Sequence, residues 1–189
     1  MNWNEIREHF PALSEFTYIN TASLGLLSNE TISTITKFVS ERKYGGLKWR
    51  EWYGIIDDDL RTKVAKLINA DASEIGFVQN TSVGLNIVAN SIKWTSGQNI
   101  VLTDMEFPTN LFPWQVIAKR FGLEVRYVRN RDGVLSLDDF IQNVDDETRA
   151  IIVSWVEFSN GFVNDLDELA KLASEHDSYL IVDGIQGVG

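Results

Sequence analysis

From Glu74 onward, short β-rich apolar segments alternate with helical patterns, and this alternation leaves few possible folds. Five segments are typical of strands: 75–79, 99–103, 124–128, 150–154 and 179–183. Helical patterns lie between them at 82–93, 110–121, 136–143 and 165–176. The alternation predicts an α/β fold, in which a mostly parallel sheet with right-handed crossovers carries helices on both faces.

The first 70 residues have a different, mostly helical pattern. Helices are predicted at 2–10, before Pro11, from Ser28 or Asn29 to about 44, and at about 52–70. Phe16–Asn20 predicts a short strand, and a loop of small residues follows it. We therefore predict two domains, a helical N-terminal lead-in over residues 1–70 and an α/β domain over residues 71–189.

The composition excludes several kinds of site and partner. The 17 basic and 27 acidic residues give a net charge of −10 without a basic run, so neither nucleic acid nor an anionic membrane is an expected partner. The chain has no cysteine, which excludes disulfides, thiolate metal sites and a cysteine nucleophile within it. His9 and His176 lie far apart in polar helical patterns, so we interpret both as solvated and predict no metal site.

The hydropathy pattern predicts a cytoplasmic protein. No apolar run approaches the roughly 18 residues that a membrane-spanning helix needs. The first twenty residues contain Glu5, Arg7, Glu8 and Glu15, which is not the pattern of a signal peptide.

The loops after the strands carry polar residues, and in a parallel sheet such loops form the ligand site. Thr81 and Ser82 open a helix whose unpaired N–H groups favour an anion, although either residue could simply be the N-cap. Phe107 precedes a proline and is placed to stack on a planar ligand, although an aromatic there is more often part of the core. Asp183 is either a buried acid aimed at a cationic group, with Gln186 as a second polar contact, or only the start of a turn.

Together these loops suit one kind of ligand. A phosphate cradle, an aromatic, a buried acid and an amide at one end of a sheet fit a flat, cationic, phosphorylated heteroaromatic molecule, and pyridoxal phosphate is such a molecule. The alternative class is a nucleotide-binding α/β module. It is disfavoured because neither a G-x-x-x-x-G-K-[ST] nor a G-x-G-x-x-G pattern occurs.

At these residues the sequence resembles the class V aminotransferases, the fold type I pyridoxal-phosphate enzymes that include cysteine desulfurases, kynureninases and isopenicillin epimerase-like proteins. The matching stretches follow the family's order and span nearly the whole chain. They are Tyr18–Gly25, Phe77–Asn90, Asp104–Asn110 with Pro113–Trp114, and Tyr179–Gly189. The α/β domain would then be an incomplete cofactor-binding major domain of that family.

The resemblance implies a role for each matching site residue. Thr81 and Ser82 would hold the cofactor's phosphate, and Phe107 would stack on its pyridine ring. Asp183 would pair with the protonated pyridine nitrogen and keep the ring an electron sink, and Gln186 would hydrogen-bond the phenolic oxygen.

The resemblance also implies the surroundings of the site. Its substrate would be an amino acid, and the protein would be a homodimer with the active site at the interface. Asn20, Ala22 and Ser23 would lie on the substrate side.

Two departures from the family pattern bear on the reaction. Desulfurases carry a histidine where Phe107 and Pro108 stand, and a His-Val-Ser-Asn run where this chain has 155–158. Phe-Pro-Thr at 107–109 is closer to the kynureninase-like or epimerase-like branches. Cysteine desulfurase activity is therefore disfavoured, although the cysteine that such enzymes use would lie beyond the end of this chain.

No catalytic residue is predicted within the 189 residues. Family members bind the cofactor's aldehyde as a Schiff base to a lysine that follows the Asp-x-x-Gln stretch, whereas all eight lysines here precede Asp183. Three alternatives follow. The chain is the N-terminal part of a longer enzyme, one half of a split enzyme completed by a complementary C-terminal chain, or a non-catalytic remnant that binds a phosphorylated ligand or another protein.

Overall fold

The fold is given by a computed structural model that describes residues 2–43, 45, 51 and 54–188, with only the backbone for residues 56–58. The chain divides into two units, Met1–Ile75 and Gly76–Gly189, and each is described by itself. Among the described residues, no helix combines the length and the apolar character needed to cross a membrane.

The first unit is helical. Its α-helices are α1 (Trp3–Glu8), α2 (Ala12–Glu15), α3 (Asn29–Lys43) and α4 (Arg61–Leu67). A π-helical segment, Ile55–Leu60, precedes α4, and a 3-10 turn, Ala72–Glu74, follows it. α3 begins where the hydroxyl of Ser28 accepts a hydrogen bond from the N–H of Thr31, 3.2 Å away, so Ser28 is the cap.

Two predictions for this unit were wrong in detail. Phe16–Asn20 forms no strand, because its backbone pairs with no neighbouring strand among the residues that the structure describes. The helix predicted at 2–10 ends at Glu8, and a second short helix starts after Pro11. The starting residue of the helix predicted at 52–70 lies outside the described residues, as do residues 44 and 46 at the predicted end of α3.

The second unit contains a four-stranded sheet whose pairings are all parallel. Its strands are β1 (Asn99–Thr103), β2 (Glu124–Val128), β3 (Thr148–Ser154) and β4 (Tyr179–Asp183), in the order β2-β1-β3-β4. Its helices are α5 (Thr81–Ser91), α6 (Phe112–Phe121), α7 (Leu137–Asn143) and α8 (Leu166–Glu175). A 3-10 turn, Pro108–Asn110, lies between β1 and α6.

The strand predicted at 75–79 is wrong. Ile75 has extended angles (φ −92°, ψ 120°), but residues 75–79 join no sheet in the part of the chain that the structure describes. Phe77 and Val78 are 43% and 48% exposed. Apolar β-rich residues favour an extended backbone, but a strand also needs a neighbour for its N–H and C=O groups.

The sheet is covered on both faces, which confirms the predicted α/β fold. Alternate strand residues belong to two cores, because successive side chains of a strand point to opposite faces. On one face α5 and α6 pack over Ile100, Leu102 and Ile152. On the other, α7 and α8 pack over Val101, Ile151 and Val153. The wholly buried Trp114 and the nearly buried Phe140 are the large side chains of the two cores.

The chain reverses its direction across the sheet at β1. It leaves β1 toward β2 and then crosses back to β3, on the other side of β1. At such a reversal the loops that leave the two central strands separate to opposite faces, and the crevice between them is where open α/β sheets bind ligands. Here those loops follow Thr103 and Ser154.

The opposite, amino-terminal end of the sheet is held by a polar network. Asp145 accepts hydrogen bonds from Arg126 at 2.6 Å and from the Asn99 amide at 2.8 Å, and the Thr148 hydroxyl donates to Asn99 at 2.8 Å. The hydrogen bond from Arg126 is the main reason that the pKa of Asp145 is lowered to about 2. The network ties the starts of β1, β2 and β3 together.

Candidate functional site

The first element of the site is the start of α5. Asn80 is its N-cap, since the Asn80 side chain accepts a hydrogen bond from the N–H of Val83 at 3.0 Å. The alternative that Thr81 or Ser82 is the N-cap is therefore wrong. Both are the first residues of the helix itself, where an α-helix leaves its N–H groups outside its own hydrogen-bond ladder and favours a negative charge. This helix start is suited to an anion.

Thr81 and Asp183 line the same cavity. It has a volume of about 370 Å³ and lies between the start of α5 and the end of β4. Gly184 and Ile185 of the turn after β4 complete that side of the cavity. The structure thus brings together Thr81, one of the two predicted phosphate-binding residues, and Asp183, the predicted nitrogen-binding residue, whereas Ser82 does not line this cavity.

Asp183 is both a buried acid and the start of a turn. It is 6% exposed and ends β4, in register with Ser154 of β3. One carboxylate oxygen accepts a hydrogen bond from the N–H of Ile185 at 3.0 Å. Gln186 is half-buried in the same turn. Asp183 is therefore buried and also starts a turn, which holds its side chain at the carboxyl end of the sheet. Its pairing with a cationic group stays a prediction.

Phe107 is exposed at the crevice rather than buried in the core. It is 47% exposed and precedes the 3-10 turn after β1. Its ring lies edge-on to that of Phe158, with centroids 5.1 Å apart and planes at 83°. Phe107 is therefore not buried in the core, and the alternative that it is a core residue is wrong. The Thr109 hydroxyl lies 3.3 Å from that of Ser82, so this turn also contacts the start of α5.

Glu106 joins the loop after β1 to the end of β3. It is 7% exposed and accepts hydrogen bonds from the N–H of Ser154 at 2.8 Å, from the Ser154 hydroxyl at 2.7 Å and from the Asn110 amide at 2.8 Å. Burial raises the pKa of Glu106, and these hydrogen bonds oppose that rise. The sequence offered no signal for this role beyond an acid next to a buried strand end.

Glu157 is a second buried carboxyl beside the first. It is 1% exposed, and one of its oxygens accepts a hydrogen bond from the Asn164 amide at 3.0 Å. The other oxygen has no partner among the residues that the structure describes. Burial, followed by repulsion from Glu106 and with smaller contributions from Asp104 and Asp183, raises the pKa of Glu157 to about 8. Glu157 therefore carries a proton at neutral pH.

The partner of Glu157 was not predicted. Asn164 precedes the cap of α8, which is Asp165, whose side chain accepts a hydrogen bond from the N–H of Glu168 at 3.1 Å. Asn164 instead links Glu157 to the carbonyl of Ser154, 2.9 Å from its amide. Only the folded loop between β3 and α8 brings Asn164 back to the end of β3.

The substrate-side residues predicted in the N-terminal region belong to the first unit. Asn20, Ala22 and Ser23 lie in a tight turn, in which the carbonyl of Asn20 accepts hydrogen bonds from the N–H groups of Ser23 and Leu24 at 3.1 and 3.3 Å. The turn presents small and polar side chains. Its role at the substrate side stays a prediction.

The chemistry of these residues fits pyridoxal phosphate. The start of α5 offers N–H and hydroxyl donors for a phosphate, and the exposed Phe107 offers an aromatic face for the ring. Asp183 offers a buried carboxylate for a protonated ring nitrogen, in a cavity that it shares with Thr81.

The chain resembles known proteins over its whole length. It is 29% identical to a probable cysteine desulfurase of Methanothermobacter thermautotrophicus, over 100% of this chain and 48% of that protein. It is 36% identical to a cysteine desulfurase of Salmonella dublin, over 69% of this chain and 34% of that protein. The chain therefore spans about half the length of the first of these relatives and a third of the second.

Two similar solved structures also match most of this chain with about half of their own length. A C-DES mutant with glycine covalently linked to its pyridoxal-phosphate cofactor matches with a TM-score of 0.85 and 26% identity, over 96% of this chain and 50% of that one. The apo cysteine desulfurase of Thermococcus onnurineus matches with a TM-score of 0.83 and 25% identity, over 96% of this chain and 47% of that one.

The family assignment follows from the sequence match and agrees with the fold. Residues 52–189 match the family described as aminotransferase class-V, whose members use pyridoxal phosphate. This range contains the whole sheet and every residue at its carboxyl end. The chain belongs to the class V aminotransferase family.

Proposed function

We propose that this chain is the cofactor-binding part of a pyridoxal-phosphate-dependent enzyme that acts on an amino acid. The observation that carries the proposal is the cavity that Thr81 and Asp183 share between the start of α5 and the end of β4. A helix start suited to an anion and a buried acid suited to a cation both border this cavity. A phosphorylated pyridine carries the two matching groups, a negative phosphate and a protonated ring nitrogen.

Each residue has one task in this proposal. The N–H and hydroxyl groups of Thr81 and Ser82 hold the phosphate at the positive end of the helix. Phe107 covers one face of the ring, and Gln186 donates to the phenolic oxygen. The Asp183 carboxylate holds a proton on the ring nitrogen, because an adjacent negative charge favours the protonated pyridine.

The bound cofactor supplies an electron sink for the carbanion of the amino acid. The chain's own residues orient the cofactor and keep its nitrogen protonated. We further propose, from the family, that the complete protein is a cytoplasmic homodimer, that residues 71–189 are part of its major domain, and that Asn20, Ala22 and Ser23 lie on the substrate side. A longer chain or a complementary C-terminal chain would supply the lysine.

The reaction has two candidates. Phe-Pro-Thr at 107–109 favours a kynureninase-like or epimerase-like reaction. The names of the relatives favour cysteine desulfuration, and they weigh against the expectation from Phe107 that this reaction is disfavoured. The two candidates separate in an assay of the complete protein with cysteine and an added thiol reductant: desulfuration forms alanine, and the thiol reduces the transferred sulfur to sulfide, whereas the alternative forms neither product.

Cofactor binding is testable on the 189-residue chain. Calorimetric titration with pyridoxal phosphate and with pyridoxal should show that the phosphate strengthens binding. Asp183→Asn keeps the size of the side chain but removes its charge, so it should weaken binding of pyridoxal phosphate by about tenfold, which is 1.4 kcal/mol. Asp167→Asn, on the exposed first turn of α8, is the matched control.

Two results would contradict the proposal. One is equal affinity for pyridoxal and pyridoxal phosphate, and the other is equal affinity of the wild type and Asp183→Asn. Borohydride reduction followed by peptide mapping tests the missing lysine. A single stoichiometric adduct on one of the eight lysines would mean that the site lies elsewhere.

A further inference from the structure

Trp155 contacts the Asp183 turn in two ways. It follows β3 directly, and its N–H donates to the carbonyl of Asp183 at 2.9 Å, which extends the pairing of β3 with β4 by one residue. Its indole lies against Gly187. A Cβ at Gly187 would lie 2.6 Å from Cε3 and 2.7 Å from Cδ2 of the indole, distances that real Cβ contacts essentially never show.

Trp155 is itself anchored. Its carbonyl accepts a hydrogen bond from the N–H of Asn164 at 2.9 Å, and the Asn164 amide donates to the carbonyl of Ser154 at 2.9 Å. The backbone on both sides of the indole is therefore held by β4 and by the segment before α8. This anchoring fixes the point from which the indole extends toward Gly187.

The turn that rests on the indole is also closely packed. The N–H groups of Gly187 and Val188 donate to the carbonyl of Gly184 at 2.9 and 3.0 Å. A Cβ at Gly184 would lie 2.9 Å from Val188 Cγ2, so the inner side of the turn has no room for an added carbon atom. Because Asp183, Gly184, Ile185 and Val188 all line the cavity shared with Thr81, any shift of the turn changes that cavity.

We propose that Trp155 is a positioning residue for the cofactor's pyridine ring: its indole supports the turn at 184–188 and thereby fixes the positions of Asp183 and Gln186. The inference rests on the proposed function. A carboxylate must lie within hydrogen-bond distance of the ring nitrogen, and a displacement of about 1 Å is enough to cost large factors in such a contact. Trp155 does not itself line the cavity, so the indole acts through the turn.

A pair of substitutions tests this contact in both directions. Gly187→Ala inserts a methyl group where the indole lies. Gly187 does not have the positive φ that only glycine favours, so the effect is steric. Trp155→Ala removes all three indole atoms that crowd this position, Cγ, Cδ2 and Cε3, which leaves room for that methyl group. Gly76→Ala, where a Cβ would meet nothing within 4 Å, is the matched control.

Three readouts separate positioning from general damage. Gly187→Ala should weaken binding of pyridoxal phosphate by about tenfold, while binding of inorganic phosphate, which needs only the start of α5, stays unchanged. In the chain without cofactor, the amide hydrogens of Gly187 and Val188 should exchange faster. The double variant should recover most of the lost affinity, so that the two substitutions are strongly non-additive.

Several results would contradict the inference that Trp155 positions the turn. Unchanged cofactor affinity and unchanged exchange in Gly187→Ala would overturn the inference, and so would simple additivity in the double variant. Equal losses of phosphate and pyridoxal-phosphate affinity would mean that the substitution only damages the fold. If the wild type binds no pyridoxal phosphate, the proposed function fails, and the cofactor part of this inference fails with it. The exchange rates then still show whether Trp155 holds the turn.

Discussion

Replacing Glu157 by glutamine should make the free energy of unfolding less sensitive to pH. The buried carboxyl has a pKa of about 8 in the folded chain, against an ordinary value of 4.5. Below pH 4.5 it is neutral in both the folded and the unfolded chain. Between the two values the unfolded chain releases the proton while the folded chain keeps it, so folding becomes less favourable as the pH rises.

The size of the effect follows from the two pKa values. Each pH unit within this window lowers the free energy of unfolding by about 1.4 kcal/mol. From about pH 5.5 to pH 7.5 the wild type should therefore lose about 2.5 kcal/mol more than Glu157→Gln, as an upper limit, because water that enters the site lessens the shift. The loss is complete above pH 8, where the carboxyl is ionised in both states.

Urea denaturation followed by circular dichroism measures this difference at a series of pH values. The quantity to compare is the change with pH, since an amide at position 157 also adds a packing effect that does not depend on pH. Glu175→Gln, at the exposed end of α8, is the control. Parallel curves for the wild type and Glu157→Gln would show that Glu157 is ionised in the folded chain, and the argument from its burial would be refuted.

Three further substitutions test other parts of the second unit by the same denaturation assay. Glu106→Gln should destabilise the chain by about 1–3 kcal/mol, because both carboxyl oxygens accept hydrogen bonds from buried donors and the NH2 group of glutamine cannot accept one; unchanged stability would remove Glu106 from its linking role. Asp145→Asn should remove a stabilising contribution to the free energy of unfolding that is present above pH 3.8 and is lost as the pH falls toward 2. This contribution is below about 1 kcal/mol, because the Asp145 side chain is 47% exposed beside Arg126. Gly122→Ala should cost about 1 kcal/mol, because Gly122 ends α6 with φ 70°; a neutral result would show that the helix end relaxes.

The positions of the central strands could be predicted because their sequence is unambiguous. Residues 99–103 and 150–154 contain runs of three and four apolar residues, 100–102 and 150–153, and both segments prove to be buried on both faces. The same reasoning was wrong at 75–79 and at Phe16–Asn20, which are also β-rich. Local sequence sets the preference of the backbone, but only a neighbouring strand makes a sheet, and no window of residues shows whether one is there.

The residues of the candidate site also fall into those that the sequence indicates and those that it does not. Phe107, Asp183 and Gln186 could be chosen because they lie at or after the end of a strand, and parallel strands bring their carboxyl ends to one edge. Thr81 and Ser82 were chosen as following a strand that does not form, and their position depends on the start of α5 instead. The residues that support them could not be chosen. Contacts such as that of the Glu106 carboxylate with Ser154 join groups 48 residues apart, and no spacing in the sequence indicates them.

The sequence by itself determined the alternation of strands and helices, the absence of cysteine and the presence of polar residues after each strand. These are properties of neighbouring residues, so composition and periodicity are enough to show them. Only the tertiary structure decided that Thr81 and Asp183 share a cavity, that Glu157 keeps its proton and that Gly187 lies against the indole of Trp155. Each of these depends on which surfaces exclude water and which atoms touch, and those are fixed only when distant segments pack.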